Sequence, residues 1–148
     1  MIRRMALASL LVLLPTSSAC IGALTTAQAV HTPVASAGGD HERHGVDGEV
    51  QVVLDGSASC VVDDGTLTYS WSQVSGRAVT LSGADAAELT VTTSERGRFT
   101  FALTVSRTTA EGEVLSDVDY ASIIVDDDEG DDITPPAQSN LCGDATSG

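Results

Sequence analysis

From Thr32 to Val125 apolar and polar residues alternate with a period of two, in short runs separated by turns. Val50, Val52 and Leu54 alternate with Gln51 and Val53, and Leu67, Tyr69 and Trp71 with Thr68, Ser70 and Ser72. Val79 and Leu81 follow, then Leu89 and Val91. Phe99, Phe101, Leu103 and Val105 alternate with Thr100, Ala102 and Thr104, and Ala121, Ile123 and Val125 close the series. The polar members are mostly Ser and Thr, which suit the solvent face of a half-buried sheet. Seven strands are predicted: Val34–Ala37, Glu49–Asp55, Leu67–Val74, Ala78–Ser82, Glu88–Thr92, Phe99–Arg107 and Asp117–Val125. No stretch of this region sustains a helical period.

The breaks between runs carry turn chemistry. Asp47-Gly48, Asp55-Gly56, Asp64-Gly65, Ser75-Gly76, Ser82-Gly83, Arg96-Gly97 and Glu111-Gly112 recur about every ten residues, the rhythm of an all-β sandwich. Each run has one apolar face, so two sheets packed face to face bury them all. Leu54, Trp71, Phe101, Leu103 and Ile123 are expected between the sheets. Tyr69 joins them on the core side through its alternation with Leu67, which favours packing over sugar stacking for both aromatics.

Residues 1–29 read as a processing segment rather than as fold. Arg3 and Arg4 precede an apolar run from Met5 to Leu14 that Pro15 breaks, too short to span a bilayer. Ser17-Ser18-Ala19-Cys20 resembles a lipobox, with Cys20 as the acylated residue. Ala27-Gln28-Ala29 before Val30 offers an ordinary signal-peptidase site instead. Either exit consumes Cys20 and leaves Cys60 and Cys142, which in an oxidising compartment are expected to pair. Two free thiols, or an intermolecular bond through Cys142, are the alternatives. The chain therefore divides into a signal segment (1–29), a sandwich (30–125) and an acidic, Pro-containing flexible tail (126–148). The tail must run back along the sandwich if Cys142 is to reach Cys60.

Several phrases resemble PKD (polycystic kidney disease) domains. Pro33-Val34-Ala35-Ser36-Ala37-Gly38 is similar to their opening, and Leu54-Asp55-Gly56-Ser57-Ala58-Ser59 to their second strand and turn. Leu67 to Gly76 resembles the third strand, in the form Trp71-x-Gln73-x-Ser75-Gly76, and Ala78–Ser82 and Gly97–Val105 resemble later strands. The Gln-containing turn replaces the Phe-Gly-Asp-Gly of many members and is similar to a subgroup found in receptor-like and bacterial surface proteins. The resemblance implies an immunoglobulin-like sandwich in an extracellular protein, a spacer or adhesion module with no catalytic residues to carry over.

The chain holds 21 acids against seven Arg and no Lys, for a net charge of −14. That excludes nucleic acid and anionic membrane surfaces as electrostatic partners. A cationic protein surface, a neutral glycan or a cation-bridged polymer fits better. Asp126-Asp127-Asp128-Glu129 and Asp131-Asp132 are candidate calcium ligands by carboxylate count, though they lack EF-hand spacing; a solvated run is the plainer reading. Asp63 and Asp64 form a weaker candidate. His41-Glu42-Arg43-His44 is one residue short of the zinc-protease spacing, even with His31 as a third ligand, and reads as loop. The expected function is a non-catalytic extracytoplasmic surface module for adhesion or interaction, with a calcium-stiffened spacer as the alternative. The anchor is expected at the N-terminus.

Overall fold

The computed structural model describes residues 31–44, 48–62, 65–127, 130–139 and 141–142. The signal segment with Cys20, and Asp63, Asp64, Asp128 and Glu129, lie outside the described residues.

Seven strands form: β1 (His41–Arg43), β2 (Val50–Asp55), β3 (Thr68–Ser75), β4 (Thr80–Ser82), β5 (Glu88–Thr93), β6 (Gly97–Thr108) and β7 (Val114–Val125). They make two sheets, β1-β7-β6-β3 and β2-β5-β4. The long β6–β7 hairpin pairs Gly97 with Val125 and Thr108 with Val114. The inward positions interleave as the alternation requires: Val52, Leu54, Leu89 and Val91 from one sheet meet Trp71, Phe101, Leu103 and Ile123 from the other, all buried. Tyr69 departs from expectation. It is half-buried and packs on the margin of the core, because β3 is an edge strand and Tyr69 lies near the end of it.

The turn at residues 83–87 fastens the two sheets. Trp71 N donates to Ala84 O at 2.7 Å, Trp71 Nε1 to Ala86 O at 3.1 Å, and Gly56 N to Ala87 O at 2.8 Å. Gly56 is confined there: a Cβ would stand 2.7 Å from a Leu103 methyl and 2.8 Å from Ala87 O. The Trp71-x-Gln73-x-Ser75-Gly76 phrase is a folded unit. Gln73 Nε2 donates to Ser75 O and Arg77 O, and its Oε1 accepts from Val79 N. This caps the bulge between Gln73 and Ser75.

The first strand is not where the alternation put it. Val34–Ala37 makes a single bridge, Val34 to Cys60, whereas His41–Arg43 pairs in parallel with β7. The pair Gly38-Gly39, both at positive φ, lets the chain draw in from side-chain contact with β7 to direct backbone pairing with it. Register with β7 is the same on both sides of the two glycines. His41 faces Ile123, 82 positions on. At the same offset Ala35 N donates to Asp117 Oδ2 (2.9 Å), Ala37 N to Asp119 Oδ2 (2.8 Å), and Ser122 N to Asp40 Oδ1 (2.7 Å). Carboxylates span the gap where the backbones are too far apart to bond directly.

The tail is also not the free linker expected of it, where it is described. It runs antiparallel to residues 34–43. Glu42 and Ile133 exchange two backbone hydrogen bonds (2.9 and 3.0 Å). Pro135 packs on Gly39, Ser36 Oγ donates to Gln138 Oε1, and Leu141 N donates to Ala58 O. Backbone groups on the open edge of β1 are what hold it, since an unpaired edge is a ready template for another strand. Residues 130–142 are called the strap below.

Candidate functional site

The strap gathers most of the residues that the sequence put forward for chemistry. Its far end is closed by the disulfide Cys60–Cys142, with Cα atoms 5.8 Å apart. Its near end is an ionic cluster around His44. His44 Nδ1 lies 2.7 Å from Asp126 Oδ1, its Nε2 3.6 Å from Glu42 Oε2, and its backbone N donates to Asp132 Oδ1 at 2.9 Å. Arg43 Nε stands 3.9 Å from Asp132 Oδ2 and its Nη1 donates to Ile133 O at 3.1 Å. The hydrogen bond to Asp126 raises the pKa of His44, opposed in part by desolvation and aided by Asp126, Glu42 and Asp132 as charges.

Of the acidic run, Asp126 and Asp132 are therefore occupied by His44 and Arg43, Asp127 lies 3.4 Å from Arg96, and Asp131 is exposed. Among the described residues no group of three or more His, Cys, Asp or Glu side chains is arranged to hold a metal ion. The histidines do not converge either. His41 and His44 stand three positions apart on extended chain, so they take opposite faces. His41 is buried, lining a cavity of about 190 Å³ beneath the strap with Gly38, Asp55, Ala58 and Pro135. Its Nδ1 is buried without a hydrogen-bond partner. Burial lowers its pKa, Arg43 lowers it further, and Asp40 works the other way. The core aromatics Trp71 and Phe101 are enclosed and offer no stacking face.

Two features of β7 run against a simple alternation of apolar inside and polar outside. Asp117 and Asp119 point inward, to the backbone of residues 35–37. Val118 and Tyr120, between them in phase, point outward and are 43% and 58% exposed. The signal was in the text: Asp119 shares phase with Ala121, Ile123 and Val125, and Tyr120 does not.

The model of the K319L-like PKD domain matches residues 44–125, which is more than half of the chain and takes in every strand after β1. The chain belongs to this PKD family. The solution structure of the PKD domain from KIAA 1837 protein is similar to it, at 32% identity and a TM-score of 0.52, covering 66% of this chain and 89% of that one. A nucleoside hydrolase-related hypothetical protein from Saccharophagus degradans, associated with carbohydrate metabolism, shares the fold. It matches at 24% identity and a TM-score of 0.50, over 64% of this chain and 25% of that one. No curated protein matches the chain. The PKD domain is a non-catalytic, immunoglobulin-like fold, commonly an extracellular interaction module. The strap lies beyond the matched residues and is added to the PKD sandwich along β1. Among the described residues no helix is long and apolar enough to cross a membrane.

Proposed function

We propose that this PKD domain is an exported, non-catalytic interaction module of a bacterial envelope, held at the outer surface through an acylated Cys20 and used for adhesion or display. The observation that carries the reading is the disulfide-closed strap, since such bonds persist in oxidising compartments outside the cytoplasm. The partner is a cationic protein surface or a neutral glycan, given the charge of −14. Mass spectrometry of the mature N-terminus tests the address. An acylated Cys20 is expected; a start at Val30 replaces the anchor with free secretion, and a retained Met1 overturns export. Saturable binding to cells or to an immobilised glycan, unchanged when Asp126 and Asp127 become Asn, tests the role.

A second reading is a structural spacer whose acidic segment is stiffened by calcium, which would have to displace His44 and Arg43 from Asp126 and Asp132. A melting temperature that climbs with calcium, and stops climbing in the Asp126→Asn, Asp127→Asn variant, would favour it.

A further inference from the structure

Away from the β1 edge, where Glu42 stands in register with Ile124, the outer face of the four-stranded sheet is unlike the rest of this chain. The outward positions of β3, β6 and β7 contain no acid and one charged residue, Arg98, in a chain with 21 carboxylates. Ser and Thr make up most of the surface. Between them stand Val118 and Tyr120 of β7, with Val114 64% exposed near the hairpin end and Val74 55% exposed on β3. Neighbouring strands flatten the site: Tyr120 is in register with Ala102, and Ala102 with Ser72; Val118 is in register with Thr104, and Thr104 with Ser70. The first half of β7 thus inverts the usual arrangement, with carboxylates turned in and apolar groups turned out. Asp117 and Asp119 have bonds to make inside. That accounts for the acids and leaves the outward Val118 and Tyr120 without a reason in the fold.

We propose that this face is where two copies of the chain pair, sheet against sheet about a two-fold axis. A cationic partner is drawn by the field to the carboxylates of the strap and the loops, not to a face without them. A second copy presents the same neutral, flat surface with the same twist, which is the condition for aligned sheet packing. An axis lying across the strands stacks β7 on β7 and β6 on β6 in opposite directions. Arg98, at one end of the β6–β7 hairpin, then faces the exposed Glu111 and Glu113 of its partner's turn at the other end. Three strands spaced by about 4.8 Å and about ten residues long offer roughly 450 Å² per copy. A pair buries about 900 Å², below the range of permanent interfaces and within that of weak, reversible ones. The remaining charge opposes the encounter at long range, so pairing strengthens as salt screens it. The inference goes beyond the display reading and does not depend on it.

Sedimentation of the full chain, as Cys20→Ser so that neither lipid nor a third thiol joins copies, tests it. The concentration should run from about 10 μM to about 1 mM, where weak interfaces equilibrate. A reversible dimer is expected, gaining ground between about 0.01 M and about 1 M salt as the screening length falls from about 30 Å to about 3 Å. Tyr120→Asp and, separately, Thr104→Arg place a charge at the centre and should raise the dissociation constant about tenfold or more. Both positions lie on the solvent face, and an unchanged melting curve checks the fold of each variant. Arg98→Glu should weaken pairing, and adding Glu113→Arg should restore it. A monomer at every concentration and salt, or a dimer indifferent to both central substitutions, overturns the proposal. A chain that stays monomeric yet binds a surface saturably loses the pairing and keeps the display reading.

Discussion

The sandwich core and the strap occupy the same molecule and are secured by opposite means. The core is continuous and apolar. Phe99, Phe101, Leu103, Val105, Ala121 and Ile123 are each at most 1% exposed, so each supports several others. The strap is a series of separate fastenings: a backbone bridge at Ile133, a proline packed on Gly39, a side-chain bond at Gln138, a backbone bond at Leu141, an ionic cluster at His44 and a covalent bond at Cys142. Loss of one core contact is felt throughout the core, whereas a strap fastening can open with its neighbours intact. Local opening should therefore be cheap in the strap and cost nearly the whole folding free energy in β6.

The largest effect should come from the core. Trp71→Ala leaves a cavity beside Leu103 and removes the bond to Ala86, and should cost about 3–5 kcal/mol in denaturant unfolding. That is a large part of the stability of a domain this size. Opening the disulfide comes next. Its partners lie 82 positions apart, so loop entropy sets a ceiling of about 4.5 kcal/mol. The measured loss from Cys142→Ser should fall below that ceiling, because a released strap recovers disorder in the folded state. Hydrogen exchange sharpens the contrast: the amides of Glu42 and Ile133 should lose protection while those of Phe101 and Leu103 keep theirs. Equal loss in both would mean that the strap and core form one cooperative unit.

The bridging carboxylates lie between these extremes. Asp119→Ala strands the buried Ala37 N–H and should cost about 1–3 kcal/mol, with Asp119→Asn costing less since an acceptor remains.

The smallest effect is the pH dependence of the strap. His44 has a raised pKa, so its contribution is whole below the ordinary value of 6.5 and fades as pH climbs through the raised one. His41 has a lowered pKa, so its contribution is whole above 6.5 and fades as pH drops toward the lowered one. Protection of Ile133 should therefore be greatest between the two. His44→Gln should abolish the decline on the alkaline side, and His41→Asn the decline on the acid side.

The core was legible because period-two alternation is a property of neighbouring residues. Trp71, Phe101 and Ile123 announce their face by what stands beside them, and six of the seven strands follow from that. The strap has no period. Its contacts join residues about 80 to 100 positions apart, one at a time, and nothing near Ile133 marks it as the partner of Glu42. A run of carboxylates looks the same whether it is solvated or, like Asp126 and Asp132, turned back on a histidine. Residues 41–44 read as loop because a three-residue strand shows no alternation, and its partner in β7 is 82 positions away.

The bridge between Val34 and Cys60, beside the bond from Cys60 to Cys142, also decides how the molecule bears a load. Tension applied across Val34 and Cys142 passes covalently through residues 34–60 and then through sulfur. Residues 61–141, which include β3 to β7, lie in a closed loop outside that path. The two points of attachment sit side by side, so the first bonds to give are the pair between Val34 and Cys60, opened one after the other like a zipper. Even then only the 26 residue steps from Val34 to Cys60 can pay out, about 86 Å at roughly 3.3 Å each. Under a reductant the loop joins the path, and the same pull would draw out about four times as much chain. For a chain pulled between Val34 and Cys142, the disulfide works as a stop on extension.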